Sequence, residues 1–172
     1  MADVSAHGIA ARLPAGFEAH IYRRVPAGEE RSFPVAQFAT VPIPPGTGDF
    51  GGGATTLMGP EDVFVVLFEY GPESLGKRLF SSVGLPRALG PEDFRSSVLR
   101  RGLPGQGGTQ HFFTEGGRPF TLYAVVGSYA RRARVVPRVN DLLATIAIAP
   151  AASAAGGSPP PGPGPQAVQL WN

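Results

Sequence analysis

One stretch of the chain cannot join a folded core. Residues 149–165 contain only Ala, Pro, Ser and Gly, seventeen residues without a charged, aromatic or branched side chain. Such a segment buries too little apolar surface to repay the entropy of ordering it. It predicts a disordered Pro/Gly-rich tail, partly polyproline II, that reaches roughly 20–50 Å. The chain therefore divides into a globular domain at 1–148, a linker at 149–165 and a short peptide at 166–172.

The peptide after the linker carries the only Trp of the chain. Val168 and Leu170 alternate as in a peptide that adds to a sheet edge, and Trp171 is the kind of amphipathic anchor found at binding hot spots. A tether raises the effective concentration of such a peptide. We therefore predict that Val168, Leu170 and Trp171 dock on a partner. Two alternatives stay open: an inert frayed end, and docking on the protein's own domain.

Strand patterns dominate the first half of the globular domain. Period-2 alternation over residues 17–22 predicts a half-buried strand, and further strands are expected at Gly8–Leu13 and Val35–Val41. Val63–Tyr70 is apolar and β-branched or aromatic, which is typical of a central strand buried on both faces. One helical turn is expected at Ala54–Met58.

A Gly-Pro-Glu motif recurs at residues 59, 71 and 90. Gly ends an element, Pro suits the first helical position, and the acid favours the positive end of a helix dipole. The second copy predicts a helix through Phe80 that buries Leu75 and Leu79. The third predicts a helix over Pro91–Arg101 with Phe94 and Val98 inward and Gly102 as its cap, although a strand there stays open.

The second half contains the clearest local signals. Two strand-like runs, Thr109–Glu115 and Arg118–Gly127, flank a Gly-Gly pair, which predicts a hairpin with positive φ in its turn. Pro137 then opens a predicted helix whose Val139, Leu142, Leu143 and Ile146 share one face. The fold class is α+β: an antiparallel sheet with two to three helices packed on it.

Three segments resemble one known fold. The opening LPAGF, the strand RPFTLYAVV and the close VPRVNDLLATIAI are similar to the PsbP-like α/β sandwich over residues 6–149. The whole chain also resembles an uncharacterised protein family of GC-rich actinobacteria. The PsbP-type resemblance implies a mostly non-enzymatic protein that assists or docks onto larger assemblies, with no catalytic residue to carry over.

The basic residues are unevenly placed. Residues 95–172 carry eight Arg against two acids, whereas residues 1–94 carry seven basic and eleven acidic side chains. Arg131, Arg132, Arg134 and Arg138 cluster where the last helix is expected to start, which makes them a candidate anion-binding site. Lys77 is the only Lys, which indicates a GC-rich genome, and no aromatic residue lies between Tyr129 and Trp171. The cluster therefore does not favour nucleic acid as a partner.

Catalytic signals are weak. The Gly46–Gly53 loop contains a G-x-G-x-x-G match, but Pro42, Pro44 and Pro45 precede it where a nucleotide site needs a strand. His7, His20 and His111 lack metal-ligand spacing. We predict no catalytic residue, no metal and no cofactor, and keep a small-molecule-binding domain or enzyme that uses the Gly46–Gly53 loop as the alternative.

The cysteine count and the hydropathy of the chain bear on where the protein is located in the cell. The chain has no Cys and no apolar run long enough to span a membrane, and we expect a cytoplasmic protein. The favoured function is a non-catalytic accessory or structural protein, whose partner is a larger protein assembly or a homo-oligomer. Small-molecule binding by the Gly-rich loop and anion or nucleic-acid binding by the Arg131–Arg138 cluster are the alternatives.

Overall fold

A computed structural model describes residues 2–25, 27–28, 30–97 and 103–152. These residues form eight strands, two α-helices and three single turns of 3-10 helix. The strands are β1 (Ala2–Ala6), β2 (Ile9–Leu13), β3 (Glu18–Arg24), β4 (Phe33–Ala39), β5 (Val63–Glu69), β6 (Gly107–Glu115), β7 (Arg118–Val126) and β8 (Ala147–Ile148). The helices are α1 (Gly52–Thr55) and α2 (Arg132–Leu143), and the 3-10 turns are Pro72–Ser74, Arg78–Phe80 and Pro91–Asp93.

The strands form two antiparallel sheets. The larger has five strands in the order β3-β4-β5-β7-β6, and the smaller has three in the order β1-β2-β8. The expected α+β class with an antiparallel sheet is thus confirmed, but the second sheet was not predicted. Strand β1 escaped the sequence analysis because its side chains are exposed or half-buried, so it lacks an apolar run.

The two faces of the five-stranded sheet are covered differently. Helix α2 and the small sheet pack against one face, which we call the front face, and the main core lies between them. The other face, the back face, has a smaller core to which Ala54 of α1 contributes. Strand β5 is central and its first six residues are buried, as expected for a strand covered on both sides.

The predicted β6–β7 hairpin is confirmed. Gly116 and Gly117 have φ values of 59° and 74°, so the turn uses the left-handed backbone that two glycines allow. Glu115 pairs with Arg118 directly across the turn. Alternate residues of β7 then face the front core, as Phe120 and Leu122 do, or the back face, as Tyr123 does.

The start of the last helix was predicted wrongly. Helix α2 begins at Arg132, and Pro137 lies inside it instead of opening it. Proline costs about 3 kcal/mol in a helix interior. The helix continues because the turn before Pro137 buries Val135 and Val136 completely, and each buried Val returns about 1.5–3 kcal/mol.

The helices predicted from the Gly-Pro-Glu repeats are also wrong for the described residues. Pro72–Ser74 and Arg78–Phe80 are separate 3-10 turns, because Leu75 and Leu79 stay exposed and Gly76 has a φ of 76°. The predicted turn at Ala54–Met58 lies two residues earlier, in α1.

The third copy forms a 3-10 turn at Pro91–Asp93. Phe94 is buried as expected, but in extended backbone, and Arg95 bridges to Gly108 of β6. Val98 and Gly102 lie outside the described residues.

Neither of the described helices has the length and apolar character that crossing a bilayer requires.

A buried ion pair joins the two sheets. Arg118, only 7% exposed, donates to both carboxylate oxygens of Glu69 on the neighbouring strand. Its remaining N–H groups reach the carbonyls of His7, Gly8 and Ala149, which belong to the β1–β2 turn and the residue after β8. The guanidinium therefore connects the end of β5 and the start of β7 to the end of the small sheet where the β1–β2 turn meets β8.

Replacing this arginine should destabilise the whole domain. The Arg118→Met variant leaves the Glu69 carboxylate buried without its partner and three carbonyls without a donor. Removal of one member of a buried pair typically costs about 3–5 kcal/mol. Urea unfolding should show a loss of that size.

Arg12→Met is the matched control. Arg12 pairs with Asp3 in the small sheet at 3.2 Å, but both side chains are largely exposed. Such pairs contribute about 1 kcal/mol or less. Equal losses of unfolding free energy in the two variants would contradict the role assigned to Arg118.

Candidate functional site

The predicted docking peptide lies outside the described residues, so the positions of Val168, Leu170 and Trp171 stay a prediction. The structure does show where the linker leaves the domain. The Ala151 N–H donates to the carbonyl of Gly116 at 2.8 Å. The chain therefore departs from the end of the β6–β7 hairpin.

The arginine cluster is bonded to the protein itself. Arg131 and Arg134 pair with the carboxylate of Glu61 at 3.0 and 3.4 Å, and Arg138 donates to the Glu61 carbonyl at 2.8 Å. Arg132 donates to the carbonyls of Pro91 and Tyr129, and its guanidinium lies 4.0 Å from the centre of the Tyr129 ring. These contacts hold α2 against the segments before β5 and β6.

The Gly46–Gly53 loop is packed on the back face. Its amides at Thr47, Gly51 and Gly53 donate to the carbonyls of Pro44, Gly48 and Thr47, at 3.1, 3.0 and 3.3 Å. Helix α1, which follows it, has only four residues. These three amides are therefore already bonded to carbonyls, and a four-residue helix adds little of the dipole that a phosphate site uses.

Two contacts fix this loop to the sheet. The side-chain amide of Gln37, buried in β4, donates to the carbonyl of Gly48 at 2.7 Å and to that of Asp49 at 3.1 Å. Gly51 has a φ of 72° and lies against the ring of Phe64, where an added Cβ would come within 2.1 Å of a ring carbon. The loop thus works as a cover for the strands beneath it.

A polar cluster lies at one side of this cover. The Tyr22 hydroxyl donates to the Asp49 carboxylate at 2.7 Å, and Arg24 lies 3.9 Å from the same carboxylate. Burial and the hydrogen bond to Asp49 raise the pKa of Tyr22 well above its usual range. Burial also raises the pKa of Tyr70 and of Tyr123. These hydroxyls stay protonated, and hence stay donors, at neutral pH.

Arg24 contains an unsatisfied group. Its Nε is buried and has no hydrogen-bond partner among the described residues. The guanidinium lies 4.9 Å from the centre of the Phe68 ring, so a ring face occupies one of its sides. A buried donor without an acceptor is costly, and it is a feature that a bound group can relieve.

The rest of the back face is aromatic and incompletely covered. Phe50, in the Gly-rich loop, stacks on Phe68 with ring centres 4.6 Å apart and meets the edge of Tyr123 at 5.8 Å. Tyr70 and Phe112 meet at 6.4 Å on either side of Phe80. Five of these side chains remain partly or largely exposed, and we call them the aromatic face: Tyr22, Phe50, Tyr70, Phe112 and Tyr123.

The histidines do not form a metal centre. His7 occupies the β1–β2 turn with a φ of 53°, His20 is exposed on β3, and the His111 ring lies 2.9 Å from the Thr109 hydroxyl. In the part of the chain that the structure describes, no group of three His, Asp or Glu side chains could hold an ion.

Two open grooves mark the surface. One, of about 490 Å³, lies over the small sheet between Val4, Ala11 and Thr145. The other, of about 710 Å³, runs beside Arg118 and Tyr70 to Pro150. The Arg118 guanidinium at the second groove is already occupied by Glu69 and the three carbonyls.

Comparison with known proteins gives no match: no protein-family model, curated protein or solved structure is similar to this chain.

The sequence analysis missed the aromatic face. Its signal was present in the strand alternation, since Tyr22, Phe68, Tyr123 and Phe112 occupy the same face of four strands. Alternation alone does not say which of two apolar faces stays uncovered. Phe50 lies in a segment that the sequence indicated only as a loop.

Glycine substitutions can test the packed loop. Gly51→Ala introduces positive-φ strain and drives a Cβ into the Phe64 ring. Strain of about 1–3 kcal/mol then adds to overpacking of about 1–3 kcal/mol. Urea unfolding should show that the free energy of unfolding falls by the sum of these two contributions.

Gly48→Ala provides the control in the same loop. Gly48 has a φ of 75°, but an added Cβ meets nothing within 4 Å, so only the strain remains. If the two variants lose equal stability, the loop does not pack on Phe64 as described.

Proposed function

We propose that this chain is a non-catalytic accessory or structural protein, which docks on a larger protein assembly through the aromatic face and the tethered peptide at 166–172. The observation that carries the proposal is the uneven covering of the five-stranded sheet. Helix α2 and the small sheet close its front face, whereas the back face exposes five aromatic side chains and carries, at its β3 edge, a buried Arg24 Nε with no acceptor among the described residues.

The composition of this face supports a protein partner. Tyr, Phe and Arg are enriched where protein interfaces bury their cores, because aromatic rings offer large contact areas at low entropic cost. Tyr70 and Tyr123 add polar hydroxyl groups to this face, and the partly exposed Arg24 side chain adds a positive charge. A partner that presents apolar side chains and a carbonyl or carboxylate oxygen would match both properties.

The tether supports a second contact. The linker leaves at the hairpin turn, so the peptide at 166–172 is attached at one end of the same sheet whose back face is exposed. Two weak contacts joined by a spacer bind far more tightly than either alone. The PsbP-like sandwich remains part of the proposal, supported by LPAGF between β2 and β3, RPFTLYAVV as β7, and VPRVNDLLATIAI from α2 to β8.

The alternatives draw less support from the geometry. Three amides of the Gly46–Gly53 loop are bonded to carbonyls of the protein, and each arginine of the Arg131–Arg138 cluster contacts Glu61, Pro91 or Tyr129.

A charge placed on the aromatic face should abolish docking. Phe50 is 54% exposed and stacks at the centre of the face, so Phe50→Glu puts a carboxylate where a partner must lay apolar surface. Loss of a hot-spot residue costs about 2 kcal/mol or more, which is about thirtyfold in Kd. The measurement is quantitative recovery of proteins bound to the tagged full chain in its own cells, with sedimentation of the purified chain to detect a homo-oligomer.

Val25→Glu is the matched control. Val25 is 60% exposed and belongs to neither hydrophobic core, so the same charge is added without removing an aromatic side chain. Both variants should retain the thermal stability expected of folded protein. If Phe50→Glu binds and self-associates like the control, the aromatic face is not the docking surface.

A further inference from the structure

Strand β6 forms one edge of the large sheet, and its outward backbone groups are only partly used. The N–H and C=O of Gly108 both bond to Arg95, at 2.9 and 2.8 Å. Six residues later, the Thr114 N–H donates to Ser82 and its carbonyl accepts from Gly84. Since orientation alternates along a strand, Gln110 and Phe112 turn their backbone groups in the same outward direction.

This outward stretch is open between the two bridges. No described residue forms a backbone hydrogen bond with Gln110 or Phe112 on that side. The segment that joins the bridges instead turns toward the front core, where Leu85 and Leu89 are buried and Leu89 exchanges hydrogen bonds with Asn140 of α2. An uncovered stretch of this kind is a template for another strand.

The peptide at 166–172 is tethered beside this edge. The Ala151 N–H bonds to Gly116, and Gly116 follows the last residue of β6. At about 3.4 Å per residue, Phe112 and Gln110 lie roughly 14–20 Å along the strand from that point. The thirteen residues from 153 to 165 span about 18–22 Å as a flexible coil and up to about 40 Å as polyproline II, so the tether reaches both residues. Effective concentration is greatest where the tether matches the span in this way.

The residues of the peptide suit the opening. Gln110 and Phe112 together offer two N–H donors and two carbonyl acceptors, which a strand of three to four residues would satisfy. Val168 and Leu170 alternate along such a strand, and Trp171 is then on the opposite side from Leu170. Phe112 and Phe80, whose ring centres are 5.5 Å apart, provide an aromatic surface at this edge.

We propose that residues 166–172 of the same chain add to the β6 edge as a short strand, opposite Gln110 and Phe112. The proposal rests on the proposed function only in treating 166–172 as a docking peptide. In this state the peptide is held by its own domain, and a partner that binds it must displace it from β6.

Trp171 provides the measurement, because it is the only Trp in the chain. In the purified full chain, its fluorescence should be shifted to shorter wavelength and poorly quenched by acrylamide. Deletion of residues 156–165 leaves both surfaces intact but shortens the tether below the required span. That variant should show the emission and the several-fold greater quenching of an exposed Trp.

Gln110→Pro blocks the edge with little change to the sheet. The N–H that it removes points outward, so the ladder to β7 loses no hydrogen bond. Trp171 should become exposed in this variant and stay shielded in the control Gln110→Ala, which keeps the backbone N–H. Hydrogen exchange of the Gln110 and Phe112 amides in the wild-type chain and in the linker deletion tests the same contact if Gln110→Pro fails to fold.

Each remaining outcome overturns the proposal. A Trp171 that is readily quenched in the wild type is not docked, and one that stays shielded in the linker deletion is not held at β6 through the tether. If Trp171 stays shielded in folded Gln110→Pro, the peptide docks elsewhere on the domain. If the shielding of Trp171 depends on protein concentration, the peptide docks on another copy of the chain. The test needs no partner, whereas Phe50→Glu tests partner docking, so failure of one proposal is distinguishable from failure of the other.

Discussion

The packing of the two sheets depends on the guanidinium of Arg118, which is almost completely buried. Arg118 donates hydrogen bonds to both carboxylate oxygens of Glu69 and to three backbone carbonyls at the small sheet. Its positive charge is therefore paired, and its N–H groups have acceptors. A buried charge is tolerated only under such complete pairing. Because Arg118 also starts β7, directly after the Gly116–Gly117 turn, the same contact positions the hairpin and the point from which the linker departs.

The link between the two sheets leaves the two faces of the large sheet covered to different extents, and the proposed function relies on this difference. With the small sheet held beside β3, and α2 across β5 and β7, the front face becomes a closed apolar core. The back face receives only the Gly-rich loop, fixed by Gln37 and by the contact of Gly51 with Phe64. The aromatic side chains beyond the loop remain available, and the edge of β6 adjoins them through Phe112.

Prediction from sequence succeeded where the signal was local. Gly116–Gly117 requires positive φ, and the run at β5 suits only a strand buried on both sides, so both were recognised. It failed where long-range packing decides. Pro137 indicated a helix start, but α2 begins earlier because Val135 and Val136 are buried. Leu75 stays exposed, and a 3-10 turn forms where a helix was predicted. The aromatic face was missed for the same reason, since covering is a property of neighbouring elements.

The sequence by itself determined the antiparallel α+β class, the central β5 strand and the hairpin. These follow from alternation, turn chemistry and composition, which act over a few residues. Only the tertiary structure decided that Arg118 joins two sheets, that the arginines of α2 are held by Glu61 and Tyr129, and which face of the large sheet is exposed. The reason is physical: burial and hydrogen-bond satisfaction depend on residues far apart in the chain, and no local pattern records them.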